Sequence, residues 1–140
     1  MKSPVLIFTV LLLLSALFSL TGLYIPGSGG QINFGVFKGY LSDVKCAESN
    51  NGVTSDGINL KLHPEKHAVE CMKTVQCAMS GYGLFIKSGN GSYSFYRFDK
   101  NGIKLSKELL KKTVKKKGIT VDVTGEMKDN IIYVADIREI

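Results

Sequence analysis

A long uncharged run near the N-terminus constrains this chain more than any other feature of its sequence. No charged residue occurs from Val5 to Ile25. A helix of this length, rising ~1.5 Å per residue, would be roughly 30 Å long, which matches the hydrocarbon core of a bilayer. A cleaved signal peptide has a shorter apolar region of about 7–15 residues and then a small-x-small cleavage site, and no such site follows this run. Residues 1–25 are therefore predicted to be an uncleaved membrane anchor, with a cleaved signal and secretion as the alternative.

The anchor also sets the predicted location of the rest of the chain. Lys2 is the one charged side chain before the apolar run, and long domains translocate largely regardless of their charge, which favours a cytoplasmic N-terminus and an exported C-terminus. Pro26 ends the predicted helix, and residues 26–31 form a short linker rich in glycine and serine. We expect residues 32–140 to form one domain on the extracytoplasmic side, either periplasmic or at the cell surface.

The pattern of residues 32–140 is typical of a small β-rich domain. The chain has no Trp, and the β-branched and aromatic residues that suit strands are abundant. Five strands with a helix between the third and fourth form the order of an OB-fold, a small, partly open Greek-key barrel, and an SH3-like barrel is the alternative. The predicted strands are 32–44, 82–88, 92–98, 119–124 and 131–140, with an inserted helix over 63–79 and a second helix from an N-cap at Ser106 to a C-cap at Gly118.

Three cysteines and two histidines form the most chemically specific pattern of the domain. Within the predicted inserted helix, His67 and Cys71 are four residues apart and would share one face. Cys46 follows the first strand and Cys77 lies near the end of that helix. Together they would complete a Cys3His ligand set, which favours Zn²⁺ or Cu(I). Apart from such an ion, the sequence predicts no cofactor.

A disulfide is the competing interpretation of the same residues. Outside the cytoplasm a disulfide persists, and three cysteines leave one thiol unpaired. A bridge between Cys46 and Cys77 would fasten the inserted helix to the sheet, although Cys46 could also pair with Cys71. The remaining thiol could then be redox-active.

The sequence predicts a binding or structural module rather than an enzyme. It contains no G-x-S-x-G, no H-E-x-x-H and no phosphate-binding loop. Our first interpretation is therefore a membrane-anchored, disulfide-stabilised module whose protein or small-molecule partner is unknown. The alternative is a metal-binding or thiol-redox protein that uses the cysteines and His67.

A lysine-rich segment near the second helix suggests contact with an anionic surface. The functional interpretation is binding to lipid headgroups, and a solvated helix face is the alternative. An exported domain seldom meets nucleic acid, so single-stranded nucleic acid is disfavoured as a partner, even though aromatic residues of the third strand would allow stacking. The lysines predicted to contact such a surface are Lys111, Lys112, Lys115, Lys116 and Lys117.

Three short motifs carry a resemblance to a known group of proteins. They are S-D-x-x-C at residues 42–46, H-x-x-E-C-x5-C at residues 67–77, and G-Y-G-L at residues 81–84. With these motifs, residues 40–140 resemble small exported or membrane-anchored bacterial OB-fold proteins of largely unassigned function. The resemblance implies the fold and the location but no activity, because an OB-fold hosts many unrelated functions. The chain departs from compact relatives in an insertion at residues 47–62, which could rearrange the cysteine and histidine cluster.

Overall fold

Five strands and four short helices make up the part of the chain that the computed structural model describes, which is residues 33–140. The strands are β1 (Asn33–Asp43), β2 (Tyr82–Lys87), β3 (Tyr93–Phe98), β4 (Thr120–Lys128) and β5 (Ile131–Glu139). The helices are α1 (Val44–Glu48), α2 (Val69–Lys73), α3 (Val75–Ser80) and α4 (Lys100–Lys112), with single 3-10 turns at Ser49–Gly52 and Pro64–Lys66.

The five strands form one mixed sheet that closes on itself in the order β1-β2-β3-β5-β4. β1 pairs antiparallel with both β2 and β4, and its register with β4 runs from Asn33 opposite Met127 to Tyr40 opposite Thr120. β3 and β5 run parallel over a short stretch. The structure therefore confirms a mainly β domain with its longer helix between the third and fourth strands.

Strict alternation along β4 supplies much of the core. Val121 and Val123 point inward and are fully buried, and the neighbouring residues Thr120, Asp122 and Thr124 are partly exposed. They pack with Tyr82 and Leu84 of β2 and with Ile132 of β5. Burying such side chains contributes roughly 1.5–3 kcal/mol each, so the ring of strands is closed around an apolar interior.

The helix between β3 and β4 begins seven residues earlier than the sequence predicts. Its N-cap is Asp99, whose side chain accepts a hydrogen bond from the backbone N–H of Gly102. Ser106, the predicted N-cap, lies buried inside the helix and donates to the carbonyl of Gly102. The prediction was wrong because Asn101 and Gly102 are poor helix formers, and here the cap and packing against the sheet outweigh that preference. The helix also ends early, with its C-cap at Thr113 rather than at Gly118.

The predicted inserted helix over residues 63–79 is also wrong. The segment forms the 3-10 turn Pro64–Lys66, then α2, then α3, with His67 in an extended conformation before α2. Thr74 separates the two helices. Its backbone ψ of 150° ends α2, and its hydroxyl both donates to the carbonyl of Cys71 and accepts from the N–H of Cys77. A threonine that caps two adjacent helices can break a pattern that otherwise reads as continuous.

The insertion at residues 47–62 packs against the sheet and leaves the cysteine cluster assembled. Leu60 is fully buried and contacts Ala47 and Phe85 in a second, smaller core. Backbone hydrogen bonds join Leu60 to Gly52 and Tyr93 to Lys61. The insertion is therefore an ordered extension beside β2 and β3.

The predicted anchor at residues 1–25 and linker at residues 26–31 lie outside the described residues. Within residues 33–140, no helix combines the length and the apolar character that crossing a bilayer requires.

We expect replacement of Gly118 by alanine to destabilise the domain by about 2 kcal/mol. Gly118 has a φ of +63°, and a Cβ there would collide with the backbone carbonyl of Glu65. Gly118 also donates its N–H to the carbonyl of His67, so the collision would disturb the segment that places this histidine. Urea unfolding of the G118A protein measures the loss.

Gly89→Ala is the matched control, because Gly89 has no neighbouring atom within 4 Å of an added Cβ. Its free energy of unfolding should stay within about 0.5 kcal/mol of the original. Equal effects of the two substitutions would contradict the assigned role of Gly118.

Candidate metal centre

The end of β1 places the first cysteine of the cluster. Asp43 is the last residue of β1 and the N-cap of α1, and its Oδ1 accepts a hydrogen bond of 2.8 Å from the backbone N–H of Cys46. A capping aspartate typically bonds the N–H two or three residues ahead of it. The S-D-x-x-C motif therefore has a structural meaning: it fixes the position of Cys46 relative to a buried carboxylate.

His67 is held from two sides beside that carboxylate. Its carbonyl accepts the N–H of Gly118, and Val69 donates to the carbonyl of Lys116. The imidazole is buried, and its Nδ1 lies 2.9 Å from the hydroxyl of Ser42. The connection between α4 and β4 thus fixes the backbone at His67, while β1 orients its ring.

Two buried polar atoms in this arrangement lack a hydrogen-bond partner. The Nε2 atom of His67 lies 3.4 Å from Oδ2 of Asp43, and within residues 33–140 neither atom makes a hydrogen bond. Leaving such groups unsatisfied in a protein interior costs about 1–3 kcal/mol each. A cation between them would satisfy both atoms.

The break at Thr74 brings the other two cysteines to Cys46. Cys71 lies in α2 and Cys77 in α3, so the two side chains are freed from the diverging directions that one continuous helix would impose. The Sγ atom of Cys46 lies 3.6 Å from that of Cys71 and 3.9 Å from that of Cys77. Three thiols therefore converge, rather than a single pair.

None of the three cysteines is bonded to another. A disulfide joins sulfur atoms at about 2.05 Å, and the structure records Cys46, Cys71 and Cys77 as free thiols. The predicted Cys46–Cys77 bridge stays a prediction, and Cys71 lies slightly closer to Cys46 than Cys77 does.

The donor atoms form two sets of three that share Cys46. One set is Cys46, Cys71 and Cys77, and the other is Asp43, Cys46 and His67. Within each set the donor atoms all lie within 4.8 Å of one another. All four residues that the sequence predicts as metal ligands therefore take part, together with Asp43.

The spacing of these atoms fits a zinc-like ion. In a tetrahedral site with Zn–S bonds of ~2.3 Å, two sulfur atoms lie about 3.8 Å apart, and nitrogen and oxygen ligands at ~2.0–2.1 Å lie about 3.3 Å apart. The sulfur separations of 3.6 and 3.9 Å match the first value. The 3.4 Å between His67 and Asp43 matches the second.

Burial favours the uncharged forms of Cys46, Cys77 and His67. Burial raises the pKa of Cys46, and the charges of Asp43 and the other two cysteines raise it further. Burial also raises the pKa of Cys77. The pKa of His67 is lowered by burial, so its imidazole is neutral at pH 7. A bound cation would stabilise the thiolates, so binding an ion here would release protons.

The four residues predicted as metal ligands lie together, but not through the local structure that the sequence predicts. The expected i, i+4 helical pair of His67 and Cys71 does not exist, because His67 precedes α2. Asp43 and Ser42 entered the sequence-based prediction only as part of the S-D-x-x-C motif, not as members of the site. The detectable signal was the spacing of aspartate and cysteine, which is that of an N-cap and the third helical residue. His63, the second histidine, is exposed beside Glu65 and takes no part.

The predicted lysines do not share one surface role. Lys111 and Lys112 end α4 and are exposed, whereas Lys115 is partly buried against Glu139. Lys116 and Lys117 lie where the chain pairs with the segment around His67. Part of the lysine-rich segment therefore serves to hold the candidate metal centre.

Comparison with known proteins indicates no function for this chain. No family model matches the chain, and neither a curated protein nor a solved structure matches it. The resemblance to exported OB-fold proteins stays a prediction.

The burial of His67 predicts a pH dependence of stability in chelator-treated protein. Because its pKa lies below the ordinary 6.5 in the folded state, the unfolded chain binds the extra proton first. The contribution of His67 to the free energy of unfolding is therefore complete above pH 6.5. It is lost as the pH falls through the lower pKa that His67 has in the folded state. Urea midpoints measured from pH 7.5 to 5 should therefore fall with pH, and the fall should be smaller in H67Q. A slope that H63Q reduces as much as H67Q would contradict this account.

Proposed function

We propose that this domain binds one thiophilic metal ion, Zn²⁺ or Cu(I), through Cys46, Cys71 and Cys77. The observation that supports it is the convergence of three sulfur atoms from α1, α2 and α3 beside two buried polar atoms without partners. Thiolate ligands select these ions over magnesium or calcium.

His67 is the better fourth ligand on grounds of charge. Three thiolates and Zn²⁺ carry a net charge of −1, and a neutral imidazole leaves that value unchanged, whereas the carboxylate of Asp43 would raise it to −2. A buried site favours the smaller charge. Ser42 would then orient the ring through Nδ1, as a hydrogen-bonded partner commonly does for a metal-bound histidine.

An ion at this position would act mainly on structure. Its ligands come from α1, directly after β1, and from the segment of residues 67–77, so the ion would join these two parts of the chain. Structural zinc sites with four protein ligands contribute directly to folding stability. Cys46 and Cys71 are partly exposed, which leaves one side of the site open for loading.

We also propose that the domain is an OB-like barrel and that it is anchored in a membrane. Five strands with a helix between β3 and β4 support an OB-like Greek-key barrel. The apolar run at residues 1–25 supports a membrane anchor with the domain on the extracytoplasmic side. The module would thus present its metal centre outside the cytoplasm, with its partner still unknown.

The short distances among the sulfur atoms also favour a second candidate, a disulfide-stabilised or thiol-redox module. In an oxidising compartment, Cys46 could pair with either neighbour after small movements, which would leave one free thiol. Such a bridge would remove two metal ligands, so the two functions exclude each other in any one molecule.

Metal analysis of the reduced full-length protein tests the first proposal. We expect about one zinc or copper ion per chain, and chelation should lower the melting temperature by roughly 10 °C or more, because an ion at 1,000 times its dissociation constant contributes about 4 kcal/mol. Cys46→Ser should abolish stoichiometric binding, because Cys46 belongs to both sets of donors. Absence of a stoichiometric ion and of any thermal shift would refute the proposal.

The two histidines provide a matched pair of variants. His67→Gln should weaken binding at least tenfold, while His63→Gln should leave it unchanged, because His63 is exposed and belongs to neither set of donors. Ser42→Ala should weaken binding by roughly tenfold through loss of ring orientation. Equal affinities of H67Q and H63Q would exclude His67 as a ligand.

Thiol counting on denatured, non-reduced protein decides between the two candidates. The metal centre requires three free thiols after the ion is removed. One free thiol would establish a disulfide, and peptide mapping would then identify its partners.

A further inference from the structure

The outer face of α3 exposes two large apolar side chains. Val75 and Met79 are 74% and 81% exposed and lie four residues apart, so they project from the same side of this short helix. Exposed apolar residues that cluster in this way mark a surface with a partner more often than singly scattered ones do.

The neighbouring helix α4 carries a row of lysines. Four lysines of α4 follow one another at intervals of four, three and four residues, which places them along one face of the helix. Among the residues that the structure describes, none of their ammonium groups forms an ion pair or a side-chain hydrogen bond. These residues are Lys100, Lys104, Lys107 and Lys111.

A groove lies between α3 and α4. Its volume is about 390 Å³, and it is lined by Ala78, Tyr82 and Leu110 together with Lys73, Lys107 and Lys111. Lys73 is paired with Glu70, whereas Lys107 and Lys111 belong to the row of lysines on α4. Such a groove suits a ligand whose anionic group adjoins an apolar part.

We propose that this surface, the face formed by α3 and α4, docks on a membrane that contains anionic phospholipids. The lysines would contact the phosphate groups, and Val75 and Met79 would enter the boundary between headgroups and acyl chains. Apolar side chains ringed by lysine are the pattern of proteins that lie on membranes.

The N-terminal sequence supports a lipid surface over other occupants. The apolar run ends at Ile25 and β1 begins at Asn33, so residues 26–32 separate them. At ~3.5 Å per residue these residues reach about 25 Å at most, which would hold an anchored domain against the bilayer. Within a Debye length of about 8 Å of that surface, each unpaired lysine is attracted to anionic lipid.

Nucleic acid fits this face less well. The aromatic residues of β3 do not line the groove, and Tyr82 is almost fully buried there. Stacking on exposed rings is what binds single strands without sequence preference. A nucleic acid partner would also leave the apolar Val75 and Met79 in contact with water.

A tryptophan probe tests the proposal cleanly, because the chain has no tryptophan of its own. The full-length M79W protein is reconstituted into vesicles of phosphatidylcholine alone, or of phosphatidylcholine with phosphatidylglycerol, each with brominated acyl chains. We expect at least about twofold stronger quenching in the anionic vesicles at low ionic strength, and loss of that difference in high salt. Y133W, with its probe on β5 away from the groove, should show no such difference.

Two double variants distinguish binding through this face from a general effect of the protein's net charge. K107Q/K111Q should abolish the dependence of M79W quenching on anionic lipid, while K87Q/K128Q, which removes the same charge elsewhere, should preserve it. Quenching that is equal in both kinds of vesicle, or equal effects of the two double variants, would overturn the proposal. So would an M79W emission shift with single-stranded DNA but not with anionic vesicles, since the partner would then be a nucleic acid.

Discussion

The buried carboxylate of Asp43 is the group around which the rest of the described structure is arranged. One of its oxygens caps α1 and thereby fixes Cys46, and the other faces the imidazole of His67. The carboxylate is fully buried at the end of β1, close to His67 and so to the place where residues 67–69 meet the connection after α4. A buried acid with an unsatisfied oxygen is costly unless a cation or a donor completes it. The whole cluster of donors can be understood as the answer to that requirement.

The strands could be predicted from the sequence because each is specified by residues within or directly beside it. The alternation of buried and partly exposed residues along β4 and the turn residues before β5 each predict a strand from a few positions. The closure of the sheet, by contrast, depends on the pairing of β1 with β4 across most of the chain. That pairing is a tertiary property, and only the conventional order of a known fold suggested it.

The helices were harder to predict because caps override propensity. Asp99 starts α4 among residues that disfavour helix, and Thr74 stops α2 among residues that favour it. In both cases one side-chain hydrogen bond outweighs a pattern summed over several residues. The four candidate ligands nevertheless lie close together, although the single helix in which the sequence placed three of them does not form. Asp43 was undervalued because nothing in a sequence reveals that a carboxylate is buried.

The backbone that carries His67 and the two later cysteines lies outside the sheet. Hydrogen bonds join its residues 67–69 to residues 116–118, and Val69 and Met72 pack into the core. Segments of this kind can open locally at a free energy below that of global unfolding. Cys77 is buried, whereas Cys46 and Cys71 are partly exposed. The reactivity of Cys77 toward an alkylating reagent would therefore follow the frequency of such an opening, while the other two thiols would react without it.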